Sequence, residues 1–132
     1  HIPSCDFSTL ISPGFFREFG LPILQQEVQT MTHNVFHVDG KGVARHLDTI
    51  LSVPQVKAVQ WVQGVGDDLP IMQWVPFLKK LQLQGVPTIV DLNKNELDDF
   101  MAEMSPNGLF LWIATDNEEE EIAILKRLSS WK

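Results

Sequence analysis

The sequence is poor in cysteine, in basic side chains and in long apolar runs. Its 132 residues contain one cysteine, Cys5, which cannot form an internal disulfide and therefore favours a reducing compartment. Ten lysines and arginines against 17 acidic residues give a net charge of -7, which argues against a nucleic-acid or anionic-membrane partner. No apolar run approaches about 18 residues, and the opening residues lack a signal-peptide pattern. The length predicts a single domain, 1–132, and these absences predict a cytoplasmic protein with no nucleic-acid or membrane partner.

What the chain does contain is an apolar strand pattern that occurs four times, each time followed by a helical pattern. The predicted strands are 34–39, 58–62, 87–91 and 109–116. Short continuous apolar runs that alternate with helices are typical of a buried parallel sheet. In such folds the functional side chains lie where strands give way to helices.

Helical periodicity predicts one helix before the first strand and one after each strand. Ser12 and Pro13 indicate a helix start, and Pro22 should kink or split that first helix. The later predicted helices cover 43–51, 70–85 and 97–104, with a last one from Asn117.

Four βα units with right-handed crossovers form either an open doubly wound sheet or half of a (β/α)8 barrel, since a complete barrel needs about 250 residues. The opening stretch 2–6 resembles the end of a strand and its loop, which suggests a piece of a longer chain. An unclosed half-barrel leaves open strand edges, so such a piece should associate with itself or with a partner.

Two central segments, 36–48 (FHVDGKGVARHLD) and 58–64 (AVQWVQG), resemble the uroporphyrinogen decarboxylase superfamily. That superfamily also contains zinc-dependent corrinoid and coenzyme M methyltransferases, and the closer likeness is to its uroporphyrinogen decarboxylase-like bacterial members. The opening 5–19 is similar to the stretch before the family's fifth barrel strand. The closing 105–121 is similar to the family's eighth unit.

The resemblance covers essentially the whole chain and implies an α/β fold, the C-terminal half (about four βα units) of a TIM barrel of the uroporphyrinogen decarboxylase type. The site would lie at the C-terminal ends of the strands. The resemblance also implies that four N-terminal units are absent, so this piece alone would be inactive. Its partners would be a small-molecule or corrinoid-protein substrate and either a second copy or the missing half.

His37 and Asp39 are the main candidate site residues, because a spacing of two along a strand directs both side chains to one side. In the methyltransferase branch this place holds a His-x-Cys pair, and a cysteine from the eighth strand completes a zinc site. Here Asp39 stands at the first cysteine position and Thr115 stands near the second. The resemblance therefore implies zinc on His37 and Asp39, with another ligand from Asp91, Asp116 or elsewhere. The alternative is that the pair only orders the loop by hydrogen bonds.

Further candidates follow the other strands. Asp91 ends the third strand and, with Asp39, is a candidate catalytic base; a helix-capping role explains it equally well. Gln60 and Trp61 face opposite sides of their strand, so only one can line a pocket, and Trp61 has core packing as its alternative. Arg45 could bind a carboxylate or phosphate near a helix start, and Thr115 completes the substrate-binding set. His46, beside Arg45, is expected on a solvated helix face.

Three functions remain open from the sequence. The first is a methyltransferase-like enzyme that acts on a methylated corrinoid or on a small methyl donor or thiol, with zinc assistance. The second is a tetrapyrrole decarboxylase, although residues 111–116 do not match that family's Gly-His-Gly at the eighth strand. The third is a non-catalytic binding barrel or an inactive fragment.

Overall fold

The fold is a four-stranded parallel sheet with helices between the strands. The computed structural model describes all residues, His1–Lys132. The strands are β1 (Asn34–Asp39), β2 (Val56–Val62), β3 (Thr88–Asp91) and β4 (Leu109–Trp112), and their order in the sheet is β1-β2-β3-β4. The predicted sequential parallel sheet is therefore confirmed. None of the helices combines the length and apolar character needed to cross a membrane.

The first helical region is split next to Pro22, as predicted. It comprises α1 (Pro13–Phe15), a wider π-helical turn (Phe16–Gly20) and α2 (Leu21–Val28). Pro22 lies in the first turn of α2. Since a proline inside a helix removes one hydrogen bond and crowds the preceding turn, the wider turn just before it accommodates the ring.

Helices α3 to α7 connect and follow the strands. They are α3 (Gly40–Ala44), α4 (Leu47–Leu51), α5 (Val75–Leu83), α6 (Leu97–Glu103) and α7 (Glu118–Leu128), and short 3-10 turns at Ile71–Trp74 and Lys94–Glu96 precede α5 and α6. The single helix predicted over 43–51 is thus two short ones. Asn117 caps α7 by accepting a hydrogen bond from the backbone N–H of Glu120 at 3.0 Å.

The two faces of the sheet differ in burial. One side, which we call the helix face, carries the fully buried side chains Phe36, Val38, Val59, Trp61 and Val90. The other side, which we call the open face, carries alternate residues that remain partly or largely accessible: Val35, His37, Gln60, Ile89, Phe110 and Trp112. Helices therefore cover one face only, and the polar side chains of His37 and Gln60 lie on the other.

The N-terminal residues extend the sheet beyond β1. Ser4 forms a parallel bridge with His37, and the N–H groups of Val35 and His37 donate to the carbonyls of His1 and Pro3 at 3.0 and 2.9 Å. The opening stretch thus pairs with β1 through a single bridge and does not itself form a strand. The outer edge of β1 is therefore paired.

Candidate functional site

The centre of the candidate site is a pair of polar side chains that face each other on neighbouring strands. His37 of β1 and Gln60 of β2 are register partners, and the row continues through Ile89 of β3 to Phe110 of β4. The Nδ1 atom of His37 lies 3.0 Å from Oε1 of Gln60. Because both residues project from the open face, this hydrogen bond orients the histidine ring on the accessible side of the sheet.

Asp91 ends β3 on the same face as His37 and Gln60. Burial raises the pKa of its carboxyl, and the positive charge on His37 acts in the opposite direction and lowers it. The carboxyl is therefore near enough to the imidazole for their charges to interact. A carboxyl whose pKa is raised by burial, close to a histidine, is an arrangement that proteins use for proton transfer.

Two adjoining cavities open on this part of the sheet. The smaller, about 340 Å³, is lined by Gln60, Ile89, Asp91, Phe110 and Trp112. The larger, about 720 Å³, continues past the C-terminal ends of β3 and β4 and is also lined by Asp91 and Trp112. The Asp91 carboxyl and the Trp112 ring therefore belong to both cavities. The volume of each cavity lies in the range of small-molecule sites, about 300–1,000 Å³.

Trp112 is a site residue that the sequence interpretation missed. Its side chain is 59% exposed, and Phe110, two residues earlier on the same face, is 64% exposed. Large aromatic rings left accessible beside a cavity offer a flat apolar surface to a ligand. The signal was present in the sequence, since Phe110 and Trp112 alternate with Leu109 and Leu111 along one apolar strand.

Asp39 lies at the end of β1, exposed, on the same side as His37. Its carboxylate does not cap α3, the helix that follows. No three His, Cys, Asp or Glu side chains of this chain are grouped so that they could hold a metal ion. A zinc site needs at least three protein ligands, so His37 and Asp39 by themselves do not fit a complete one.

Trp61 does not line the site, contrary to its assignment as a substrate-binding residue. The ring is fully buried on the helix face, where its centroid lies 5.0 Å from that of Trp74 and 4.6 Å from that of Phe77. The side chain of Gln60 lies on the open face. Because side chains alternate along a strand, that of Trp61 must lie on the helix face, in the core. Of the two alternatives for Trp61, core packing is the one the structure shows.

Arg45 is also placed away from the site. Its guanidinium donates to the backbone carbonyls of Ser8 and Thr9, in the N-terminal segment, so it is engaged by the protein itself. Its neighbour His46 is 1% exposed, and Nε2 of the ring donates to the carbonyl of Ser8 at 2.8 Å. The expected solvated position of His46 is therefore wrong. These two side chains attach the N-terminal segment to the break between α3 and α4.

The residues after β4 contribute less than expected. The strand ends at Trp112, so the predicted extension to residue 116 is wrong. The larger cavity is lined by Ala114 and Asp116, whereas Thr115 is not among its lining residues. The carboxylate of Asp116 accepts a hydrogen bond from Lys94 at 2.6 Å, and Lys94 also pairs with Glu120. Asp116 is therefore held by an ion-pair network at the rim of the cavity.

We expect the substitution Asp91→Asn to stabilise the protein at neutral pH. Because the pKa of Asp91 is raised in the folded protein, the folded state binds more protons than the unfolded state between the two pKa values. Stability contributed by this group is lost as the pH rises through that window, and the neutral amide avoids the loss. Urea unfolding of both proteins at several pH values measures this difference.

The gain from Asp91→Asn should disappear once the pH falls below the ordinary aspartate pKa of about 3.9, where both states are protonated. Asp99→Asn, at an exposed position on α6, is the matched control. Equal stabilisation by Asp91→Asn at low and at neutral pH would contradict the assignment of a raised pKa.

The residues that carry the resemblance to the uroporphyrinogen decarboxylase superfamily thus lie on two different faces of the sheet. His37, Asp39 and Gln60 lie on the open face, and Trp61 lies in the core. A parallel sheet with intervening helices is common to several α/β folds, so the fold alone does not identify an activity. Comparison with protein-family models, with curated proteins and with solved structures finds no match to this chain.

Proposed function

We propose that this chain contributes the catalytic face of a TIM-barrel enzyme of the uroporphyrinogen decarboxylase superfamily, of its methyltransferase-like branch. The substrate would be a small thiol together with a methylated corrinoid or another small methyl donor. The observation that carries the proposal is the oriented histidine on the open face, with Nδ1 of His37 3.0 Å from Oε1 of Gln60 and the Asp91 carboxyl nearby.

The chemistry that these residues can supply is proton transfer. His37 would accept the proton of a substrate thiol, and the resulting thiolate is the nucleophile that takes the methyl group. The S–H bond breaks and an S–CH₃ bond forms, while the electron pair of the broken cobalt–carbon bond stays on the corrinoid. Asp91, with its carboxyl pKa raised by burial, lines the cavity that Gln60 also lines, and it lies within electrostatic range of His37.

The two exposed aromatic side chains beside the smaller cavity favour a large flat substrate. Trp112 and Phe110 are both more than half exposed and line the smaller cavity with Ile89. A corrin ring is flat and largely apolar at its edge, and aromatic side chains bury such surfaces favourably. The sheet order and the single covered face are also what half of a barrel requires, because its interior face must stay free for the remaining strands.

Binding of methylcobalamin tests the proposal directly. We expect side-chain NMR signals of the open-face residues Gln60, Ile89 and Trp112 to shift on addition of methylcobalamin, while the indole signal of Trp61 on the helix face does not. Trp112→Ala should weaken binding by about tenfold, the loss of one aromatic contact of about 1.4 kcal/mol. Trp131→Ala, in a partly buried position against α6, is the control. Absence of shifts on the open face would contradict the proposal.

Measuring the zinc bound per chain distinguishes two roles for His37, that of a catalytic base and that of a metal ligand. Because no three His, Cys, Asp or Glu side chains of this chain are grouped as a metal site, we expect less than one zinc ion per chain to be retained after dialysis. His33→Ala, at an exposed histidine, is the control for His37→Ala. Stoichiometric zinc that is lost in His37→Ala and kept in His33→Ala would assign His37 as a ligand instead.

A further inference from the structure

We propose that Gln60 is a positioning residue that holds His37 as the tautomer with its proton on Nδ1, so that Nε2 is the proton-accepting atom of the site. The inference rests on the proposed function of His37 and adds the residue that sets its protonation geometry. Gln60 lies on the strand next to that of His37 and would affect catalysis only by orienting the His37 ring.

The geometry gives the direction of the hydrogen bond. Oε1 of Gln60 is an acceptor only, so at 3.0 Å it takes the proton that Nδ1 carries. In a neutral imidazole one nitrogen is a donor and the other an acceptor. Fixing the proton on Nδ1 therefore leaves the lone pair on Nε2.

The backbone makes this contact rigid. His37 and Gln60 are direct register partners in the β1–β2 ladder, and their strands are anchored by Phe36, Val59 and Trp61, all fully buried on the opposite face. The N–H of His37 is itself held by the carbonyl of Pro3 at 2.9 Å. The ladder hydrogen bonds fix the backbone positions of both residues directly opposite each other. The two side chains can therefore pair without any backbone movement.

An acidic side chain lies within electrostatic range of the His37 ring. The Asp91 carboxyl faces the cavity that Gln60 also lines, and its pKa responds to the charge on His37. A proton that arrives on Nε2 therefore creates a positive charge within range of a carboxylate. Gln60 keeps its bond to Nδ1–H in both states of the ring, so the geometry does not change when the proton moves.

Nitrogen-15 NMR of the histidine ring tests the proposal. We expect His37 in the unaltered chain, at a pH where it is neutral, to show Nδ1 as the protonated nitrogen. Gln60→Leu removes the acceptor and should shift the tautomer ratio by about fivefold towards Nε2–H, the change that one ordinary hydrogen bond supports. Gln60→Glu keeps an oxygen at the same place and should retain the Nδ1–H form. Gln84→Leu, at an exposed glutamine, should leave the ratio unchanged.

The outcomes separate this proposal from the proposed function. A predominant Nε2–H form in the unaltered chain, or an equal ratio in Gln60→Leu, would overturn the positioning role, whatever methylcobalamin does. Nδ1–H in the unaltered chain together with no methylcobalamin binding would leave the positioning role intact and reject the methyltransferase assignment.

Discussion

Replacing Trp61 by alanine is expected to lower the free energy of unfolding by about 3–5 kcal/mol, the usual cost of removing a large aromatic side chain from a packed core. The ring is fully buried and packs against Trp74 and Phe77, at centroid distances of 5.0 and 4.6 Å. Its removal leaves a cavity between the sheet on one side and α5 with the turn before it on the other. Urea or guanidinium unfolding followed by circular dichroism measures the loss.

Trp112→Ala is the matched control for Trp61→Ala. Trp112 lies on the open face and is 59% exposed, so its removal should change stability by no more than about 0.5 kcal/mol. Trp61→Phe should be milder than Trp61→Ala, because it keeps most of the ring and removes an indole N–H that is buried without a partner. A larger stability loss from Trp112→Ala than from Trp61→Ala would show that the two faces have been assigned the wrong way round.

Replacing Asn34 by alanine should destabilise the protein by about 2–4 kcal/mol. The Asn34 amide is fully buried at the start of β1. Its Nδ2 donates to three carbonyls, those of Val28, Met31 and Gln55, at 3.1 to 3.3 Å. Alanine leaves these acceptors without a donor in a place that water does not easily reach. Thermal or urea unfolding gives the size of the effect.

The side chain of Asn34 also binds the N-terminal residue, since Oδ1 lies 2.9 Å from Nδ1 of His1. The destabilisation should therefore be accompanied by earlier exchange of the amides of Val35 and His37, which donate to the N-terminal segment. Asn95→Ala, at an exposed asparagine, is the control and should be close to neutral. Equal effects of the two substitutions would refute the role given to Asn34.

The sheet could be predicted from the sequence because its signal is local. Strand β1 was predicted with its observed limits, Asn34–Asp39, because the apolar residues Val35, Phe36 and Val38 lie between two polar ends. Strand β4 was predicted four residues too long, since Ile113 and Ala114 continue the apolar pattern after the ladder hydrogen bonds have stopped. Apolar character predicts burial, but pairing depends on the neighbouring strand, which a sequence window does not contain.

The site was only partly predictable for a related reason. Alternation along β2 shows that Gln60 and Trp61 face opposite sides, but it does not show which side faces the helices. The break between α3 and α4 has a tertiary cause, because His46 turns inward to bind the carbonyl of Ser8, 38 residues earlier. The hydrogen bond between His37 and Gln60 likewise depends on register, which connects residues 23 apart.

The uneven burial along the sheet has a consequence for local opening. Every second residue of β1 is buried, whereas β4 has no buried residue and α7 has one, Ile124. Segments with little buried apolar surface open at a lower free energy than the global unfolding transition. The β4–α7 unit should therefore detach first, while the strands that carry His37 and Gln60 stay folded. A ligand that contacts both Gln60 and Trp112 would link the less stable β4–α7 unit to the more stable strands β1 and β2. Ligand binding should therefore make the unfolding of the whole sheet more cooperative.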